Sequence, residues 1–318
     1  MLGQRLTPRQ VRDLHERAAT RGATRAAPWL QFDPGEMEAM YNRRPFIVRH
    51  RLPEHPMFQL EPLVRLCRRC PSDAINYRIG RIPIDSHFDA SFTKRDLSLA
   101  EALDRIEETQ AWIAIFNPER DPEYRPVIEG LVGEVALQTE RLDPGMNWYS
   151  TYIFISAKDS VTPYHMDREM NFLLQVRGTK LVQLWDPADD DIMSPADRDR
   201  LMATPTRPGY REEFASKAMN FSLEPGLGVH HPFIAPHAVH TGAELSISLA
   251  VTFRTKASDV WSDAHRLNHR LRSVGLDPTR VGRNSAIDYG KALVLRTVRG
   301  ARSLLDRDPN TGAAGEPA

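Results

Sequence analysis

From Trp148 to Phe253 apolar and polar residues alternate in short runs separated by Gly, Pro and Asp clusters, which is the period of strands that bury one face. The runs Tyr152 to Ser156, Met170 to Val176, Lys180 to Trp185, Gly228 to Phe233 and Ser246 to Phe253 are predicted strands, and several of that kind in sequence imply a sandwich or barrel. Ahead of them the pattern is mixed. Arg44 to His50 reads as a first strand, whereas Glu61 to Arg69, Leu97 to Phe116 and Val127 to Leu142 carry apolar residues at helical spacing, and Pro8 to Thr20 does so weakly. Ala188 to Phe221, rich in Asp, Arg and Pro, interrupts the strands and is predicted to be a surface loop over the barrel mouth. After Phe253 the helical period returns, with Ser285 as a cap for Ala286 to Leu305. The expected organisation is a flexible N-terminal arm over 1–30, a main domain over 31–257, a C-terminal helical region over 258–307 and a disordered tail over 308–318.

Composition narrows the function classes. Lys and Arg number 42 and Asp and Glu 42, so no overall field recruits nucleic acid or an anionic membrane surface. No apolar run approaches the roughly 20 residues of a membrane span, and Met1 to Arg12 lack the apolar core of a secretory signal, so a cytoplasmic setting is expected. Cys67 and Cys70 have no further thiolate or suitably placed histidine nearby, and they read as ordinary reduced cysteines. Basic residues outnumber acidic ones towards the C-terminus, between apolar positions that include Ile287, Leu293, Val294 and Val298. That region reads as an amphipathic helix packed on its own barrel or on a second subunit.

The segment Val161 to Lys180 carries the chemistry. In an extended strand residues two apart face the same way, so His165 and Asp167 can take adjacent positions on one metal, and a distant His would complete a facial set with open positions. Phe172 to Val176, Arg177-Gly178 and Thr179 to Trp185 read as a hairpin with a two-residue loop, which places Lys180 opposite Gln175 and on the face shared by 167, 171, 173 and 175. A lysine aimed into a barrel needs an anion. The third ligand would come from His230, His231, His237 or His240, and spacing alone does not separate His237 from His240. Ser246, Ser248, Ala250 and Thr252 form a small inner face that leaves room for a bound cosubstrate, with Ile247, Leu249, Val251 and Phe253 on the other side. His230 and His231 read as structural or rim positions, and Arg168 and Glu169 as a solvated charge pair. Tyr152, Phe154 and Tyr164 suit a pocket wall or a core equally.

Thr162, Pro163, His165, Asp167, Asn171, Phe172, Gln175, Arg177, Gly178 and Lys180 resemble, without a gap, the motif of the JmjC and cupin-like Fe(II) and 2-oxoglutarate dependent oxygenases. The likeness is greatest to the asparaginyl hydroxylase that inhibits the hypoxia-inducible factor, and it covers Tyr152 to Phe253. It implies a double-stranded β-helix (jelly roll) flanked by N-terminal and C-terminal helices. It implies iron held by His165, Asp167 and His237, with Lys180 and Thr162 on the distal carboxylate of 2-oxoglutarate and Asn171 lining the site. Pro232, five residues before His237, follows the downstream pattern and favours His237 over His240. Thr252 stands where that pattern has Asn, which puts the hydrogen bond at that position in doubt. The implied activity uses 2-oxoglutarate and O2, decarboxylates the acid to succinate and hydroxylates an unidentified protein side chain or small molecule. Some members dimerise through C-terminal helices, so the resemblance also implies a homodimer. The alternative is a cupin-like regulatory or interaction protein without turnover.

Overall fold

A computed structural model describes residues 3–23, 27–88 and 97–305. The expected tail over 308–318 lies outside the described residues. Strand β1 (Gln4–Arg5) and helix α1 (Pro8–Ala23) are followed by β2 (Leu30–Gln31), α2 (Pro34–Met40), β3 (Ile47–His50), α3 (Leu60–Arg69), β4 (Ile75–Arg78), α4 (Leu99–Asp104), β5 (Trp112–Phe116) and α5 (Arg125–Thr139). Next come β6 (Met146–Ser156), β7 (Val161–Met166), β8 (Met170–Arg177), β9 (Lys180–Leu184), α6 (Pro195–Ala203) and β10 (Met219–Leu223). The described chain ends with β11 (Leu227–His231), β12 (Pro236–Thr241), β13 (Ser246–Thr255), α7 (Lys256–Ser273) and α8 (Ser285–Leu305).

Two antiparallel sheets form the core. The larger runs β2-β3-β11-β8-β13-β6-β5-β4, with β1 also on β6, and the smaller runs β10-β9-β12-β7. Strands β6 to β13 alternate between the sheets, apart from β9 and β10, which pair with each other. This is the jelly roll with helical additions expected from the sequence. Leu173, Val182, Leu184, Val239 and Ala250 pack between the sheets. On the far face of the large sheet Phe172, Leu174, Leu249, Val251 and Phe253 are wholly buried, and Phe172 meets Phe32 and Phe46 edge-on. With apolar cover outside, the inner face of β13 can stay small and polar without loss of core.

Three expectations change. The hairpin over 172–185 does not form, because β8 lies in the large sheet and β9 in the small one. The chain crosses between sheets at Gly178, whose φ is +64° and where an added Cβ would stand 2.5 Å from the Leu245 carbonyl oxygen. Leu97 to Phe116 is not one helix. A capping box of Ser98 and Glu101 starts the short α4, and the aromatic and β-branched run Trp112 to Phe116 becomes β5, paired along β6. The interruption at Ala188 to Phe221 is more than a loop: it contains α6, and Pro195–Thr206 forms a second compact unit together with the described chain from Ala257 to Leu305.

Within that second unit, Asp199 on α6 accepts hydrogen bonds from His265 Nδ1 at 2.7 Å and Arg272 Nε at 2.9 Å on α7. Asp263 on α7 is met by Arg296 at 2.7 Å and Arg299 at 3.1 Å on α8. In the first unit, within the stretch read as an arm, β1 pairs with β6 at Gln4–Tyr149 and Arg5–Trp148. Helix α1 lies against α5, where a Cβ on Gly133 would meet the Leu14 carbonyl oxygen at 2.5 Å. Among the described residues no helix is long and apolar enough to cross a membrane.

Gly178→Ala combines a left-handed backbone with a backbone clash, and it is expected to destabilise the protein by about 2 kcal/mol or more. Urea denaturation monitored by circular dichroism measures the loss; an unchanged midpoint would show that the crossing does not constrain the barrel.

Candidate metal centre

β7 and β12 are neighbours in the small sheet, and His165 stands opposite His237 in their register. Residues directly opposite in an antiparallel pair share a face, so both imidazoles enter the barrel. Asp167 follows β7, where the chain leaves the small sheet for β8. His165, Asp167 and His237 each offer a ligand atom, and these atoms lie within 4.8 Å of one another. Asp167 Oδ2 is 3.9 Å from His237 Nε2. His165 Nδ1 lies 2.8 Å from the Pro163 carbonyl oxygen, and His237 Nδ1 lies 3.0 Å from that of Ala235. A carbonyl only accepts, so each Nδ1 carries the hydrogen and each Nε2 is left to offer a lone pair, the tautomer a metal ligand needs. Burial, and then the neighbouring His237, hold the His165 pKa well below the usual value. His240 is half-buried and outside this group.

Lys180 begins β9 and is buried. Its ammonium donates to Ser248 Oγ at 2.6 Å and lies 5.6 Å from the Phe154 ring centroid, and no ion pair reaches it among the described residues. Burial alone pushes its pKa down to about 7. The inward lysine expected from the sequence is therefore present, although a sheet crossing rather than a hairpin delivers it.

The ligand and cosubstrate residues expected from the sequence, His165, Asp167, His237, Lys180, Thr162, Asn171 and Thr252, line one cavity of about 260 Å³. The large sheet contributes a polar rung to it, since Asn171 on β8 stands opposite His231 on β11 and Thr252 on β13. Thr252 Oγ1 lies 3.5 Å from Asn171 Oδ1, so the shorter residue still reaches its neighbour at the limit of a hydrogen bond. Tyr152 and Phe154 form part of the wall with Trp112 and Phe116. Tyr164 does not: it packs on Trp185, Tyr210 and Phe214.

Several lining residues were not legible. Phe88 stacks on His165 with centroids 3.8 Å apart and planes 7° apart, and the Arg207 guanidinium lies 5.4 Å from the Phe88 ring centroid. Both come from stretches without periodic pattern. Glu169 is no solvated charge: it is buried and accepts from Arg254 Nε at 3.0 Å. Burial raises its pKa and the Arg254 charge opposes that rise. His231, read as structural or rim, faces into the cavity, and strand alternation beside His230 is the signal that could have placed it.

A sequence profile of the cupin-like domain matches residues 36–259. The chain belongs to the cupin-like domain family. Solved structures similar to this cupin-like chain include YcfD from Escherichia coli, at 15% identity over 88% of this chain and 69% of that one, with a TM-score of 0.44. YcfD described as a ribosomal oxygenase in complex with cobalt and 2-oxoglutarate aligns at 15% identity over 89% and 69%, with a TM-score of 0.43. No curated protein matches the sequence.

The depressed Lys180 has a calculable consequence. Between about 7 and its ordinary 10.5 the unfolded chain binds a proton that the folded chain does not, so in ligand-free protein the burden of this buried charge lessens as pH rises through that window. Lys180→Met is expected to be more stable than wild type near pH 6.5, with the difference shrinking towards pH 10. Parallel urea titrations across that range test it, and a pH-independent difference would contradict a buried titrating lysine.

Proposed function

We propose that this cupin-like chain is an Fe(II)- and 2-oxoglutarate-dependent oxygenase that hydroxylates a protein side chain or a small molecule. The observation that carries the reading is a buried ammonium without a carboxylate partner among the described residues, in the same cavity as a His-Asp-His group whose free ring nitrogens converge. His165, Asp167 and His237 would hold the metal and would leave room beside it in the cavity for the 2-oxo acid and O2. Bound there, iron supplies the oxidising chemistry that couples decarboxylation of 2-oxoglutarate to succinate with C–H hydroxylation.

The chain's own residues hold the reactants. Lys180, hydrogen-bonded to Ser248, neutralises the far carboxylate of the acid, and Thr162 offers a hydroxyl to the same cavity. Pro163 and Ala235 keep both ligand rings in one tautomer through their carbonyl groups. Phe88 covers His165, and the wall of Trp112, Phe116, Tyr152 and Phe154 limits water, which strengthens each electrostatic contact inside. A cytoplasmic setting agrees with two unpaired cysteines, Cys67 and Cys70. Exposed Ile287, Leu293, Val294 and Val298 on α8 support the homodimer that the sequence resemblance implies.

Anaerobic addition of Fe(II) and 2-oxoglutarate to the purified protein is expected to produce the visible charge-transfer band of the chelate. His165→Ala is expected to abolish it, and Lys180→Ala to raise the 2-oxoglutarate concentration needed by tenfold or more. Succinate release on admitting air is the second readout. No band in wild type, or an undiminished band in both variants, would favour a regulatory protein that keeps the barrel without turnover.

A further inference from the structure

Two adjacent histidines close β11, and strand alternation sends them to opposite faces of the large sheet. His230 faces away from the cavity and is fully used: Nδ1 lies 3.1 Å from the Asn171 carbonyl oxygen, Nε2 accepts the Asn42 backbone N–H at 3.1 Å, and the ring stacks on Tyr41. His231 faces inward. It is 3% exposed, and both of its ring nitrogens are buried without a hydrogen-bond partner. An imidazole carries at least one N–H donor in any protonation state. Packing alone does not call for an imidazole here, because a leucine or phenylalanine would fill the space without an N–H to satisfy.

The position of the ring tells what it is for. Its centroid is 4.5 Å from that of His237, at an interplanar angle of 73°, so it stands against a member of the ligand group. It is not in that group, whose atoms come from His165, Asp167 and His237. In register it continues the rung of Asn171 and Thr252 across the cavity floor. A donor in this place, beside the metal position but outside it, meets an oxygen of whatever anion is bound at the centre.

We infer that His231 is a positioning residue, donating a ring N–H hydrogen bond to a carboxylate oxygen of the 2-oxo acid held at the His165, Asp167 and His237 centre. This rests on the oxygenase reading and deepens it. Lys180 anchors one end of the acid, and His231 fixes the rotation of the other end beside the ligand group. The same bond gives the ring a polar partner when the acid is bound, so it adds to the stability of the filled site. Ligand binding is thereby coupled to stability.

The test uses the full chain with Co(II) as a spectroscopic probe, titrated first with the metal alone and then with 2-oxoglutarate. In His231→Leu the affinity for Co(II) is expected to stay within about threefold of wild type, while the affinity of the Co(II) protein for 2-oxoglutarate falls tenfold or more. His231→Gln, which keeps an N–H donor, is expected to recover part of that loss. On adding Co(II) and 2-oxoglutarate, His231→Leu is expected to gain less Tm than wild type. Equal 2-oxoglutarate affinity in wild type and His231→Leu would overturn the inference while leaving the oxygenase reading in place. Loss of Co(II) binding itself in His231→Leu would overturn it in favour of a direct ligand. Wild type that binds Co(II) but no 2-oxoglutarate would overturn both.

Discussion

The site is organised by one unfavourable placement: a lysine ammonium sealed between two sheets, with a serine hydroxyl as its hydrogen-bond partner. A charge in that environment is tolerated when an anion completes it, and burial alone already draws the group's pKa down to about 7. Everything nearby suits such an anion. β13 keeps serine, alanine and threonine on its inner face, so the cavity stays open, and the ring of Phe154 offers its π face to the ammonium.

The two sheets divide the work. The small sheet supplies His165, His237 and Lys180 from β7, β12 and β9, strands that lie side by side, and so it sets the distance between the metal position and the cation. The large sheet supplies the rung of His231, Asn171 and Thr252 opposite them. That division is possible because the large sheet is apolar on its far side, where Phe172, Leu249, Val251 and Phe253 are fully buried. Its stability comes from that layer, which leaves its inner face available for chemistry.

Much of the barrel was readable because strands of period two announce both their existence and their inward face. The alternation along 246–253 and the spacing of His165 and Asp167 needed no partner to be interpreted. The hairpin reading of 172–185 failed for an instructive reason. Local turn signals around Arg177 and Gly178 fit a two-residue loop and a sheet crossing equally, and only the pairing of β8 with β13 and of β9 with β12 distinguishes them. The run Trp112 to Phe116 has apolar residues compatible with either period, and the long pairing edge of β6 selects strand. Phe88 and Arg207, which flank His165, lie in loops whose course depends on what they pack against, and no local pattern encodes that.

By itself the sequence determined a sandwich or barrel of strands, and the motif from Thr162 to Lys180 implied the jelly roll and the inward lysine, because side-chain alternation and a motif within one short stretch need no distant partner to be read. Tertiary structure brought His237, which the motif favoured over His240, within reach of His165 and Asp167, and it alone decided that Glu169 is buried against Arg254 and that His231 enters the site with both nitrogens unmet. Each of those depends on cross-strand register between segments far apart in the chain, where a shift of one residue would turn every side chain to the opposite face.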